Sequence, residues 1–341
     1  MTEAPSPLRI VVVTDAWIPQ VNGVVRTLRT IGDEVKRLGH SIIFITPDLF
    51  RSIPCPTYPE IRLSMNAGAQ LAEIMKANSP DAVHIATEGP LGIAARRWCL
   101  RHDFPFTTAF HTRFPDYIHA RFKVPVNWSW AVLKWFHGPS KGVMVATQTL
   151  ERELNGRGLG QTKIWTRGVD LDLFRPRKTD LFDQVDRPVF LFVGRIAIEK
   201  NIEAFLKLDL PGTKVVVGDG PQRRQLQVSF PDTVFTGEQH GEALAEHFSA
   251  ADVFVFPSLT DTFGLVMLEA MACGLPVAAF PVAGPADVVT DRRAGVLDHD
   301  LGRAARQALT LAGDDARRYA TSYSWENCAN LFLSNLHPVG K

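Results

Sequence analysis

Two acidic side chains, Asp261 and Glu269, stand in "SLTDTFGLVMLEAMACGLPV", a segment otherwise built of apolar and small residues. Gly274 followed by Pro276 closes a helix that starts near Gly264, so Asp261 falls in the preceding loop and Glu269 about one and a half turns inside. A loop carboxylate accepts hydrogen bonds from ligand hydroxyls, and the amides of Phe263, Gly264 and Leu265 at the helix start can donate to a ligand. That combination suits a polyol such as a sugar. The alternative makes Asp261 a helix cap and Glu269 a surface residue. For Glu269 this fits less well, because Met267, Leu268, Ala270 and Met271 leave it little exposed face.

Earlier in the chain, "VFLFVGRIAIEKN" ends a strand at Gly194 and places Arg195 and Lys200 at the start of the next helix. Cations there oppose the helix dipole unless an anion is bound, and a diphosphate is such an anion; a solvated basic turn is the alternative. Gly23, in "PQVNGVV", leaves the first strand where a residue without a side chain admits close approach of backbone amides to a ligand, though turn glycines are commonly structural. His111, in "FHTRF", follows another predicted strand and is a structural or a catalytic histidine. Asp170 with Asp172, and Asp298 with Asp300, have Asp-x-Asp spacing but lie in a linker and a late turn. Both are read as accidental, and no metal site is expected.

The elements that must position these residues alternate: "LRIVVVT", "HSIIFIT", "DAVHI", "FPFTTAF" and "KGVMVAT" are β-branched runs separated by helical patterns. A polar, proline-containing passage, residues 167–188, interrupts the rhythm, which restarts at "VFLFVGR". The expectation is an α/β protein of two Rossmann-like, doubly wound domains facing across a cleft. They comprise residues 1–175 and 176–320, with a C-terminal helix, 321–341, packing back on the first. A chain of 341 residues, 45% hydrophobic and 21% charged, suits two domains. Its net charge of +1 argues against nucleic acid as a partner. Cys55, Cys99, Cys273 and Cys328 form no C-x-x-C pair, which fits reduced thiols in a cytoplasm. The acidic, proline-containing start is unlike a signal peptide, and the longest apolar stretch contains Glu269, Pro276 and Pro281, so no membrane span is expected.

From "TDAWIPQVNGVVRTL" through "VHIATEGPLG", "FHTRFPDY", "RGVDLDLFRP", "FVGRIAIEKN", "VVVGDGP" and "TDTFGLVMLEAMACGLPVAAF" to "YSWENC", the order of motifs resembles the retaining nucleotide-sugar glycosyltransferases of family four, which have the GT-B fold. The resemblance covers nearly the whole chain. It implies that Arg195 and Lys200 bind the donor diphosphate, that Glu269 accepts from the ribose, and that Asp261 holds the transferred sugar. His111 would contact that sugar and help stabilise the reacting centre. It also implies retention, no metal and no cofactor beyond a UDP- or GDP-linked donor. One departure is Asp261, one methylene shorter than the family's usual Glu. The variant motifs look most like the branch of sulfoquinovosyl and other glycosyl-diacylglycerol synthases and related mannosyltransferases. Residues 119–142 mix Arg121, Lys123, Lys134 and Lys141 with Phe122, Trp128, Trp130, Trp135 and Phe136, the chemistry of a membrane interface or else of a packed helical region whose aromatics line the core or an acceptor pocket. The expected acceptor is therefore a membrane lipid such as diacylglycerol, reached from the cytoplasmic face by peripheral association. A soluble-glycan transferase, a nucleotide-sugar epimerase or hydrolase, and a non-catalytic sensor are the alternatives.

Overall fold

A computed structural model describes residues 6–20, 23–55, 58–111, 126–261 and 263–340. The chain divides into two compact units, residues 1–166 with 328–341 and residues 167–327. The first contains β1 (Arg9–Val13), α1 (Gly23–Arg37), β2 (Ser41–Ile45), β3 (Ser52–Cys55), β4 (Tyr58–Ser64), α2 (Gly68–Asn78) and β5 (Ala82–Ile85). It continues with α3 (Pro90–Arg101), β6 (Phe106–Phe110), α4 (Val126–His137), β7 (Val143–Val145), α5 (Gln148–Gly156) and β8 (Thr162–Ile164).

Runs such as "IVVV", after the exposed Arg9, and "FTTAF" are buried on both faces, as strands covered by helices must be, and they form a six-stranded sheet in the order β2-β1-β5-β6-β7-β8. All its pairs are parallel, with Val13 opposite both Ile45 and Ile85, and Ile85 opposite Thr108. Strands β1 and β5 therefore end level with each other, and β6 runs on past that level to Phe110. Strands β3 and β4 form a separate antiparallel hairpin. One core cluster packs Val11, Val13, Ile85, Leu91 and Phe106; a second packs Phe110, Trp130, Leu133 and Val145.

The second unit runs through β9 (Val189–Val193), α6 (Ile202–Leu206), β10 (Thr213–Val217), α7 (Arg223–Ser229), β11 (Val234–Gly237), α8 (Gly241–Ala250) and β12 (Val253–Phe256). It continues with α9 (Leu265–Ala272), β13 (Val277–Ala279), α10 (Ala283–Val288), β14 (Gly295–Leu297), α11 (Leu301–Ala308) and α12 (Gly313–Ala320). Its sheet, again six-stranded and parallel, has the order β11-β10-β9-β12-β13-β14. Phe190, Phe192, Val216, Val255, Leu301 and Ala305 share its core. The passage that interrupts the sequence rhythm is folded within this unit: Val169 bridges to Ser324, and the buried Phe174 meets Phe248 edge-on at 6.0 Å between ring centroids. Arg317 donates to the carbonyls of Phe174 and Ala272, which fixes the passage further.

The last helix, α13 (Trp325–Asn335), carries the chain back into the first unit. There Asn335 Nδ2 donates to Ile164 O at 2.8 Å, and Phe332 packs on Trp165 and on the ring of His84.

Candidate functional site

The loop that leaves β9 turns through residues 194–201 and ends at Asn201, whose φ of 52° is left-handed, a conformation asparagine tolerates better than most side chains. Asn201 Nδ2 donates to Pro257 O at 3.0 Å, and Thr260 Oγ1 to Glu199 O at 3.2 Å. These bonds fasten the loop after β9 to the loop after β12. Across the same seam Lys200 Nζ lies 2.7 and 2.9 Å from the two carboxylate oxygens of Asp261. Their side chains are 28% and 24% exposed. Two residues sixty-one positions apart in the chain, which the sequence assigns to different parts of a ligand, thus form one ion pair.

Gly264 precedes α9 with φ of 82°, and a Cβ there would be strained and 2.8 Å from Met267 Cε. The first amides of α9 have no intrahelical acceptor. Phe263 is buried, so its ring belongs to the core and only its backbone is available to a ligand. Glu269 is 5% exposed among buried Met267, Leu268, Ala270 and Met271, so the surface-residue alternative is excluded. Arg195 is exposed on the loop that carries Lys200. The geometry offers one exposed cation, a cation held by a carboxylate, helix-start amides and a buried carboxylate, all at the carboxyl ends of β9 and β12.

In the first unit His111 follows β6, half-buried, with its ring 5.7 Å from that of Trp165. Gly23 is the exposed first residue of α1, and a Cβ on it would meet nothing within 4 Å, so no crowding inside the protein requires glycine there. Helix α4 separates the aromatic residues of the 119–142 segment. Trp130 is 6% exposed, stacked on Phe110 with Arg157 over its other face at 4.2 Å; it is a core residue, and so is Phe136. Trp128, Val132 and Trp135 are 74%, 60% and 48% exposed, and Lys134 is exposed beside them. Trp130 is therefore removed from the expected membrane-facing set, because helical phase turns it inward. Arg121, Phe122 and Lys123 lie outside the described residues.

The Asp-x-Asp pairs have local structural partners. Asp170 Oδ1 accepts from the amides of Asp172 and Leu173, Asp298 pairs with Arg303, and Asp300 caps α11 by accepting from Arg303 N. Burial pushes the thiols of Cys99 and Cys273 up to about 12, which leaves neither a nucleophile at neutral pH. Among the described residues no group of three or more potential ligands could hold a metal ion, and no helix is long and apolar enough to cross a membrane.

Sequence reasoning gave no role to Asp15 or to the pairing of Glu88 with His137. Asp15 is 6% exposed and accepts from the amides of Leu91 and Gly92 and from Thr87 Oγ1, so it caps α3. Desolvation raises its carboxyl above the usual range, against the lowering effect of those hydrogen bonds. Both groups lie in quoted motifs, "TDAW" and "ATEGPLG", but their partners are distant in the chain.

Two parallel α/β units, the second with cations and carboxylates gathered at its strand ends, are an arrangement in which open α/β sheets bind ligands. Comparison narrows this. Residues 21–173 match the family described as Glycosyltransferase Family 4, and residues 187–314 match Glycosyl transferases group 1. The chain is similar to a GDP-mannose-dependent alpha-mannosyltransferase of Mycolicibacterium smegmatis, 30% identical over 85% of this chain and 84% of that protein. It is also similar to the alpha-monoglucosyldiacylglycerol synthase of Streptococcus pneumoniae, 28% identical over 97% and 85%. Among solved structures, sucrose-phosphate synthase from Thermosynechococcus elongatus aligns with a TM-score of 0.75, at 24% identity, over 96% of this chain and 98% of that one. The chain belongs to glycosyltransferase family 4 and has the GT-B fold. It is a hexosyltransferase.

Proposed function

We propose that the protein transfers a hexosyl group from a UDP- or GDP-linked sugar to a hydroxyl of a membrane lipid of the diacylglycerol type, with retention at the anomeric carbon. The observation that carries the donor half is the Lys200–Asp261 pair beside the start of α9. A nucleoside diphosphate sugar brings an anion for Lys200 and hydroxyls for Asp261, so its entry exchanges one ion pair for two matched sets of contacts. In this reading Arg195 and Lys200 offset the charge that develops on the leaving diphosphate, without need of a divalent cation. The amides of Phe263, Gly264 and Leu265 serve the bound donor, Glu269 accepts from the ribose, and Gly23 leaves room for it. His111 contacts the transferred sugar.

The lipid half rests on the exposed face Trp128, Val132 and Trp135. Its spacing places three apolar side chains on one side of α4, and the exposed basic residues Arg26, Arg29, Lys36 and Arg37 of α1 add attraction for anionic head groups. The diacylglycerol in the name of the Streptococcus relative supports the same acceptor. In this reading the protein associates peripherally with a membrane, at its cytoplasmic face. The GDP-mannose in the name of the Mycolicibacterium relative favours mannose as the group transferred; the second reading keeps that transfer and takes a soluble glycan as acceptor.

Incubation of the purified protein with UDP-glucose or GDP-mannose, dioleoylglycerol in vesicles and soluble glycans, with products identified by mass spectrometry, separates these. Lipid-linked product supports the first reading, and product on soluble glycans alone overturns it. Product that forms equally without any acceptor indicates an epimerase or hydrolase. Activity that a chelator abolishes and a divalent metal restores would overturn the metal-independent part.

A further inference from the structure

Strands β5 and β6 pair with Ile85 opposite Thr108, so Glu88 and His111 each lie three residues beyond a matched position at the same sheet edge. The turn that carries Glu88 is rigid. Thr87 Oγ1 accepts from Asp15 N and donates to Asp15 Oδ2, at 2.6 and 2.9 Å, and Asp15 Oδ1 and Oδ2 hold the amides of Leu91 and Gly92. Gly89 follows so tightly that a Cβ would stand 2.4 Å from Asp15 Cγ. Glu88 takes no part in these bonds. Its side chain, 12% exposed, lies against His137, with Oε1 3.3 Å from Nε2.

His137 is itself fixed. Its ring is fully buried, Nδ1 is 2.9 Å from Thr108 Oγ1, and Arg96 clamps the end of α4 by donating to the carbonyls of Phe136 and Trp135. Thr108 Oγ1 in turn donates to Ser140 Oγ at 3.4 Å, which ties the ring into a buried polar group. Yet Nε2 and Oε1 lack hydrogen-bond geometry, and among the described residues nothing donates a hydrogen bond to either oxygen of Glu88. A nearly buried carboxylate with one lateral contact is costly unless something else completes its shell.

We infer that Glu88 binds the acceptor, its carboxylate accepting a hydrogen bond from an acceptor hydroxyl, and that His137 is the positioning residue that fixes this carboxylate. The inference rests on the transfer reaction proposed above and adds to it how the acceptor is recognised. The ligand chemistry is that of a polyol, whether a glycerol or a sugar hydroxyl.

The full chain with Glu88→Gln is compared with wild type using dioleoylglycerol in phosphatidylglycerol vesicles and methyl mannoside in solution as acceptor probes, with calorimetric titration of UDP and GDP for the donor side. The expected result is an acceptor KM raised by about tenfold or more, the loss of a charged hydrogen-bond acceptor, with nucleotide Kd within about twofold. His137→Phe should raise the acceptor KM likewise, and His137→Gln, which keeps a polar side chain beside Glu88, should restore most of it. If His137→Phe does not fold, Glu88→Gln decides alone. An unchanged acceptor KM in a folded Glu88→Gln, while wild type transfers, overturns the role of Glu88 and leaves the proposed reaction standing. An equal loss of nucleotide affinity would mark a general structural defect and also overturn it. Absence of transfer by wild type to either probe removes the reaction and this inference together.

Discussion

The two units build nearly the same sheet and use its carboxyl edge differently. In both, the first strand lies inside, flanked by its successor on one side and by later strands on the other; the second unit adds β11 beyond β10, where the first sends its chain into the antiparallel hairpin β3–β4. At the edge of the first unit the carboxylate of Asp15 is sealed in and held by backbone amides. At the edge of the second, Lys200 and Asp261 hold each other and remain about one quarter exposed. Groups bound by amides are committed to the fold, whereas groups bound by one another can be released to a ligand. The comparison therefore predicts that substitutions of Asp15 and of the core in the first unit cost stability, and that charge substitutions at the edge of the second cost turnover.

The largest effect expected is on Trp130. Trp130→Ala should lose about 3–5 kcal/mol of unfolding free energy, as large core aromatics do. Trp128→Ala, two positions away on α4 but 74% exposed, should stay within about 0.5 kcal/mol. Denaturant titration measures both, and equal losses would undo the division of α4 into a core and a surface face. Next is Lys200→Ala, for which kcat/KM should fall by about two to three orders of magnitude, the scale of a lost electrostatic stabiliser of the transition state. Its unfolding free energy should change by only about 0–1 kcal/mol, because the pair with Asp261 is solvent-accessible. A variant destabilised severalfold more than this, with turnover preserved, would reverse the comparison.

The fold was largely legible in sequence, because buried parallel strands must be written as β-branched runs and these recur at regular intervals. The placement of individual candidate residues was legible where a local rule marks them: Gly264 before a helix, Glu269 among apolar neighbours, two cations at one turn. Pairings were not. The joining of Lys200 to Asp261, of Asp15 to the amides of α3, and of Glu88 to His137 each depends on loops that the sheet order alone brings together. Trp130 shows the complementary difficulty: composition marks a segment as aromatic and basic, but only the phase of α4 decides which rings face the core. The passage 167–188 was read as an interruption because it lacks strands, yet its carbonyls are held by Arg317 from a helix far along the chain.

A smaller effect tests whether the first unit's buried groups are indeed committed to the fold. His84 on β5 is fully buried with its ring edge-on to those of Trp165 and Phe332, and desolvation lowers its imidazole to about 3. A histidine whose folded value is depressed contributes stability above its unfolded value near 6.5, and that contribution is lost as pH falls toward 3. Each pH unit in this window costs about 1.4 kcal/mol, so between pH 6.5 and 5 wild type should lose about 2 kcal/mol more than His84→Gln. Parallel stability curves for the two proteins would show that His84 does not resist protonation in the folded state.

The smallest effect expected is at Asp15, and its pH dependence has the opposite sign. Removing the cap with Asp15→Ala should cost about 0.5–2 kcal/mol, since Leu91 and Gly92 lose their acceptor at the start of α3. The carboxyl is raised by desolvation, with the hydrogen bonds from Leu91, Gly92 and Thr87 opposing. A folded acid raised above its unfolded value binds its proton more tightly than the unfolded chain does. Its contribution is therefore complete below the unfolded value near 3.9 and declines as pH rises through the folded one. The cost of Asp15→Ala should accordingly be larger near pH 3.5 than at pH 7, with Asp15→Asn, which retains a carbonyl acceptor, losing less than Ala throughout. Measured by urea denaturation at the two pH values, a cost that instead grows toward neutrality would mean that the three hydrogen bonds outweigh desolvation and that the ionised carboxylate is the form the first unit is built to hold.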